Sequence, residues 1–372
     1  MKSLLPVFLI SLTLISCQKE DETPSNHTGS EKRFLPAPSD PKTIGIQLEN
    51  GSTLYRNVSY GTGPLEKLDI VIPPSEEPTP LVLHFHGGAF IGGDKDDLYQ
   101  ENSSLERVDS LLSNGIAFAT ANYNLIDVFD DEDEGVFQCF RSAKKALQTL
   151  RYYKEEINVD DSRIILDGSS AGAGLVLWLG LNDEMADPIS DGIMGESTRV
   201  SGILVKKPQS TYNFYRWYDD IFNNAQFGFP TYQTVDFDSL LQVPSILQAA
   251  AKFVGINNLS EATQEQIEYV IEEVDLVEKV DPSDPPLYVW NPNENEPPVY
   301  DEELGLLGEG IVHHPYHSAL LVNEYIQNNG DIDCRILSLS SDPIYTSPLS
   351  YIEWIIRVAD VDINGDEDTF TP

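Results

Sequence analysis

Ile164-Ile165-Leu166-Asp167-Gly168-Ser169-Ser170-Ala171-Gly172 decides the reading of this chain. A short apolar run leads straight into Gly-x-Ser-x-Gly and then into small residues that open a helix. Glycines at 168 and 172 leave room where strand and helix crowd together, so a serine in the strained turn between them presents its hydroxyl above the sheet edge. Ser170 is therefore the candidate nucleophile. Taken alone, the motif is equally a glycine-rich turn into a helix, and the rest of the chain has to separate the two readings.

Upstream, Leu81-Val82-Leu83-His84-Phe85-His86 reads as a buried strand and ends in Gly87-Gly88-Ala89-Phe90. The oxygen of a tetrahedral intermediate needs fixed donors, and the expected ones are the N–H groups of Gly87, Gly88 and Ala171. In this order and separation the two motifs resemble the α/β-hydrolase fold, in particular its hormone-sensitive-lipase-like bacterial carboxylesterases, which carry His-Gly-Gly before the elbow. The resemblance covers roughly residues 43 to 360, with its motifs dense between Leu81 and Gly172. It implies an α/β architecture: a mostly parallel central sheet, helices on both faces and a helical insertion after strand 6. It also implies a carboxylesterase-like serine hydrolase that forms an acyl-enzyme at Ser170.

The chain departs from that pattern at two places. After the strand Leu287-Tyr288-Val289-Trp290, where the fold keeps its catalytic acid, the sequence reads Asn291-Pro292-Asn293-Glu294-Asn295-Glu296 without the usual aspartate, leaving Glu294 or Glu296 as substitutes. After the last strand, expected over Arg335-Ile336-Leu337-Ser338-Leu339, no histidine follows. A serine hydroxyl is a poor nucleophile unless a positioned base takes its proton. Of six histidines, His27 lies in the leader linker, His84 lies inside a strand and His86 is expected to brace the oxyanion loop, which leaves His313, His314 and His317 at the start of a helix running to Asn329-Gly330. Three readings of this cluster stand side by side. One histidine supplies the base from an unusual place in the chain, since triads are recognised by role rather than order; the His-His-Pro-x-His spacing binds a divalent metal; or the histidines cap the helix and hydrogen-bond within a loop.

The 372 residues carry a formal charge of −38 at 41% hydrophobic content. That supports one large α/β core and argues against nucleic acid, whose phosphates would be repelled, and against direct attraction to anionic lipid headgroups. Met1-Lys2 and the apolar stretch Leu4 to Ile15 suit a signal peptide, and Leu14-Ile15-Ser16-Cys17 resembles a bacterial lipobox. This second resemblance implies that residues 1–16 are removed, that Cys17 is lipidated, and that the acidic residues after it direct the protein to the outer membrane and its outer face. A plain secretory signal is the competing reading. Residues 17–42 read as an acidic tether, 43–360 as the hydrolase domain with a cap-like insertion over 209–280, and 361–372 as an acidic tail.

Within the domain, Val136, Phe140, Ala143, Leu147 and Leu150 recur at the spacing of one helical face, and a second helix is expected over Glu261 to Glu278. The insertion's Tyr212, Phe214, Tyr215, Trp217, Tyr218 and Phe222 either line an acyl or aryl pocket or pack the insert onto the body. Ser347-Pro348 is expected to start the C-terminal helix, with Leu349, Ile352, Ile356 and Ala359 facing inward. Cys139 and Cys334 belong to distant elements and are expected to be unpaired and buried. Asp360, Asp362, Asn364 and Asp368 around Gly365 resemble a calcium loop, against the alternative of a solvated tail.

The expected chemistry is hydrolysis of a small ester or a glycan-linked ester with no required cofactor. The competing class is a catalytically degenerate hydrolase acting as a surface binding module. The distance from Ser170 Oγ to the nearest imidazole separates them.

Overall fold

The computed structural model describes residues 34–45, 51–130, 132–190, 192–223, 231–232, 241–297 and 309–361. Eight strands, β1 (Thr53–Ser59), β2 (Lys67–Ile72), β3 (Thr79–Phe85), β4 (Ala117–Ala121), β5 (Val159–Ser169), β6 (Gly202–Lys206), β7 (Leu287–Asn291) and β8 (Ile332–Ile336), form one sheet in the order β1-β2-β4-β3-β5-β6-β7-β8. β1, β2 and β4 pair antiparallel, and every pair from β4 and β3 outward to β8 is parallel. This is the α/β-hydrolase arrangement that the sequence implied.

Parallel strands covered by helices on both faces are buried on both sides, and every residue of β3 is buried, Thr79 and His84 included. Alternate side chains serve opposite layers. Leu81, Leu83 and Phe85 pack with the helices Val136–Tyr152, Ala171–Leu181 and Pro315–Gln327, whereas Val82, Ile165, Leu204 and Tyr288 pack with Asn102–Ser113 and Tyr351–Val358. The stripe Val136, Phe140, Ala143, Leu147 and Leu150 is wholly buried, as its spacing predicts. Ala171–Leu181 has no polar face: all eleven residues are buried, which suits a helix enclosed between sheet and insertion.

Three boundaries differ from expectation. β8 spans Ile332–Ile336 rather than 335–339, because it pairs with the five residues of β7 from Leu287↔Ile332 to Asn291↔Ile336 and then turns into a 3-10 segment. The C-terminal helix starts at Tyr351, not at Ser347-Pro348. Ser350 is its cap, in a reciprocal capping box with Glu353, while Ser347 Oγ donates to Asp333. Its buried residues are Trp354, Ile355 and Ile356, with Ala359 just beyond them, so Ile356 and Ala359 face inward as expected while Leu349 and Ile352 are only partly buried. The helix expected over 261–278 is divided into Gln264–Val274 and a 3-10 turn, Leu276–Lys279; Asp275 between them accepts from Asn213 and Arg216.

Cys139 and Cys334 are both unpaired and buried, as expected. Their surroundings push both thiols well above the usual cysteine range, chiefly through burial, so they are unreactive core residues.

Candidate active site

Ser170 sits at φ 56°, ψ −118°, a conformation that side chains rarely adopt, between the end of β5 and the first turn of Ala171–Leu181. Its N–H is fixed by the Lys206 carbonyl of β6 at 2.9 Å. The two glycines make the turn sterically possible. A Cβ at Gly168 would collide with the Gly172 backbone, and one at Gly172 with the Phe85 carbonyl. The elbow thus lies against the end of β3, where the oxyanion loop begins.

That loop runs through three consecutive left-handed residues: Gly88 at φ 117°, Ala89 at 54° and Phe90 at 64°. Strain of this kind persists only where the surroundings overdetermine it. Phe90 is locked by edge contacts with Phe140, Tyr212 and Phe253, and its carbonyl accepts from the Ile126 N–H. His86 braces the loop as expected, with Nδ1 2.7 Å from the Gly87 carbonyl and its ring stacked on Tyr123. Gly88, Ala89 and Ala171 line one cavity with Ser170. Gly87 lies against the Ser169 carbonyl and Ser170 Cβ, next to the cavity-lining Gly88 and Ala89.

The three loop histidines have three different roles. His313 Nε2 lies 2.7 Å from Ser170 Oγ, within hydrogen-bond reach of the proton a base must take. His314 caps the helix Pro315–Gln327: its Nδ1 accepts from the Tyr316 N–H at 3.2 Å and its Nε2 donates to the Glu296 carbonyl at 3.0 Å. Burial drives the His314 imidazole down to about 4. His317, one turn into the helix and fully buried, lies edge-on to Trp217 and takes Ser210 Oγ at 3.2 Å on Nδ1. Burial, then the neighbouring His314 and His313, lower it to about 3. Both are held neutral and structural. His313 thus has the geometry that the base reading requires and His314 that of the capping reading.

The imidazoles do not converge on a common point, and no group of three His, Cys, Asp or Glu that could hold a metal occurs among the described residues. Glu294 and Glu296 are exposed, and Glu296 meets the cluster through its backbone carbonyl. Asp360, two residues past the C-terminal helix, has a left-handed backbone; Asp362, Asn364 and Asp368, like Cys17, lie outside the described residues.

Beneath the catalytic edge, Asp167 accepts from Tyr351 Oη at 2.8 Å and pairs with His84 Nδ1 at 2.7 Å. Burial opposes its ionisation, yet His84, Arg107 and Tyr351 together hold the carboxyl below the usual range. This buried network clamps β3 to β5, the two strands whose ends carry the oxyanion loop and the nucleophile.

Ser170 and His313 open onto a cavity of about 750 Å³. Its floor comes from the insertion: Tyr212, Phe214 and Trp217 line it, together with Ile246, Ala249, Ala250 and Phe253 of the helix Pro244–Phe253. The aromatic cluster is therefore divided. Phe222 instead packs edge-on against His314 and His317, and Tyr215 is exposed.

Residues 68–221 match the BD-FAE family model, a stretch that contains the oxyanion loop and elbow and ends before His313. Over 158 residues the chain is 32% identical to the kynurenine formamidase of Danio rerio, a match covering 42% of this chain and 48% of that protein; the chain thus spans about half the length of this curated relative. Among solved structures, a truncated carbohydrate esterase from gut microbiota has a TM-score of 0.50 at 16% identity, covering 77% of this chain and 87% of that one. An acetyl ester-xyloside bifunctional hydrolase from Caldicellulosiruptor lactoaceticus gives 0.49 at 18% identity over 80% and 88% of the two chains. The gut-microbiota structure shares the α/β-hydrolase fold described above.

Proposed function

We propose that this chain is a serine hydrolase that cleaves carboxylic esters through an acyl-enzyme at Ser170. The observation that carries the reading is the 2.7 Å contact between Ser170 Oγ and His313 Nε2, on an elbow beside an oxyanion loop. As Oγ attacks the ester carbonyl its proton passes to Nε2, and the carbonyl oxygen gains negative charge. In this reading amides of the loop Gly87-Gly88-Ala89 and that of Ala171, at the first helical position where no intrahelical partner exists, hold it. Collapse expels the alcohol, which takes the proton from His313. Water then repeats the sequence on the acyl-enzyme and frees the acid. Nucleophile, base and oxyanion donors all come from protein, so no cofactor enters the proposal. A degenerate binding module has no need of a base within reach of the nucleophile.

An apolar cavity of this size favours an acyl or aryl group larger than acetyl, on a small or glycan-linked ester. The branch proposed is the hormone-sensitive-lipase-like one, on the strength of His86-Gly87-Gly88 before the elbow. The leader supports a lipoprotein of the outer membrane, anchored through Cys17 and exposed at the surface, with no other membrane contact. Calcium on the tail carboxylates is a separate proposal resting on their spacing alone, and calorimetric titration of the ion tests it.

The deciding experiment is labelling by a fluorophosphonate probe together with turnover of a panel of aryl esters. Wild type is expected to label and turn over, and Ser170→Ala to do neither. Equal labelling of both proteins removes Ser170 from the mechanism.

A further inference from the structure

The end of β7 is where the resemblance places a carboxylate, and the first polar side chains there are the carboxamides Asn291 and Asn293. Asn291 ends β7 and is fully buried; its Nδ2 donates to the His313 carbonyl at 3.2 Å and to Ser318 Oγ at 3.0 Å, and its Oδ1 accepts from the Asn293 N–H at 3.0 Å. Asn293 Nδ2 donates to the same His313 carbonyl at 3.2 Å. One residue earlier, the Val312 carbonyl accepts from Gln209 Nε2 at 2.7 Å, and Gln209 Oε1 accepts from Tyr212 Oη at 3.1 Å. Two successive carbonyls are thus gripped by side chains from the loops that follow β6 and β7.

We infer that Asn291 and Asn293, with Gln209, are positioning residues that aim the His313 imidazole at Ser170 by holding its backbone. The hold matters because His313 stands between the short helix Glu309–Val312 and the cap of the next helix, at a junction where the chain changes direction. Displacement of a catalytic group by about 1 Å costs on the order of 10²-fold in rate. Hydrogen-bond chemistry dictates the residue type, since an amide donates to a carbonyl and accepts at its other end, whereas an ionised carboxylate only accepts and would repel the carbonyl oxygen. Asn291 is therefore not a lapsed aspartate but a donor that an aspartate cannot replace.

The inference rests on the esterase reading, which wild-type turnover abolished by Ser170→Ala establishes independently. Asn291→Asp and Asn293→Ala are then compared in the full chain on an aryl ester. Both are expected to lower kcat by about ten- to a hundred-fold with KM within about twofold. The acid limb of the kcat/KM profile keeps its midpoint, because the amides touch the backbone and not the ring. Should the buried Asn291→Asp fail to fold, the half-buried Asn293→Ala decides, with a thermal midpoint expected within about 3 °C of wild type. Retained or raised kcat in Asn291→Asp, or lost stability with intact kcat in Asn293→Ala, overturns the inference. Wild type inert toward every ester overturns the inference and its parent together; active wild type with unaffected variants overturns the inference alone.

Discussion

His313 Nε2 lies 2.7 Å from Ser170 Oγ although this histidine precedes the last strand of the sheet instead of following it. The helix that His314 caps delivers this imidazole over the end of β7 to the elbow at the end of β5. His313→Ala is expected to lower ester turnover by about 10³-fold or more with little change in thermal midpoint. His314→Ala and His317→Ala are expected to do the reverse, losing stability first, because one removes a helix cap and the other a buried ring packed on Trp217. Steady-state kinetics and thermal melts on the three variants distinguish them; a His313→Ala enzyme with wild-type turnover defeats the assignment.

The two structural histidines also set an acid limit on stability. Burial lowers His314 to about 4 and His317 to about 3, against 6.5 for the unperturbed imidazole. Between those values the unfolded chain binds protons that the folded chain refuses. The stability gained by keeping the rings neutral is therefore complete above about pH 6.5 and is lost as pH falls toward 4 for His314 and 3 for His317. Each group removes on the order of 1 kcal/mol per pH unit across its window. His317→Gln, which cannot titrate, is expected to flatten the fall of thermal midpoint with acidification. An unchanged slope in that variant rules out the His317 imidazole as a source of the acid limit.

How much of this was legible depends on whether the signal was steric and local. Gly168 and Gly172 are demanded by backbone collisions within the motif itself, so the elbow and its serine stand out in the sequence. The oxyanion loop was legible as a place from His86-Gly87-Gly88, whereas its left-handed run from Gly88 through Phe90, two residues of it not glycine, was not. His313, His314 and His317 are alike in sequence, and only their partners, Ser170, the Tyr316 amide and Ser210, separate base from cap from core. Asn291 and Asn293 carry no functional signal in a sequence searched for a carboxylate, because their part is played through the backbone of a residue some twenty positions away. The late start of the C-terminal helix was legible: Ser350 and Glu353 have capping-box spacing, and Pro348 drew the boundary too early.

Anchoring is tested separately from catalysis. If the leader is a lipoprotein signal, the protein made in a bacterial host partitions with membranes, and the mature chain begins at Cys17 carrying added acyl mass. Cys17→Ser is expected to lack that mass and leave the membrane fraction, with ester turnover unchanged because the body begins well beyond the tether. Intact-mass measurement decides it: a mature chain beginning elsewhere without acyl groups rejects the lipobox.

The cavity makes the last prediction, on acyl selectivity. Ala249 and Ala250 lie on the helix Pro244–Phe253 and line the cavity with Tyr212, Phe214 and Phe253, while Ser170, Gly88 and Ala89 stand at its reacting end. Small side chains on that helix leave room along its wall, and a large ring there would narrow the cavity. Ala249→Trp is therefore expected to lower kcat/KM for long-chain or aryl acyl esters by about tenfold or more, while the acetyl ester of the same alcohol keeps its rate within about twofold. Because the alcohol is common to all substrates, a difference between the series reports the acyl side alone. Parallel losses on acetyl and long-chain esters would mean that the cavity receives the alcohol or that the substitution disturbs the fold, and a melt on the same preparation tells these apart.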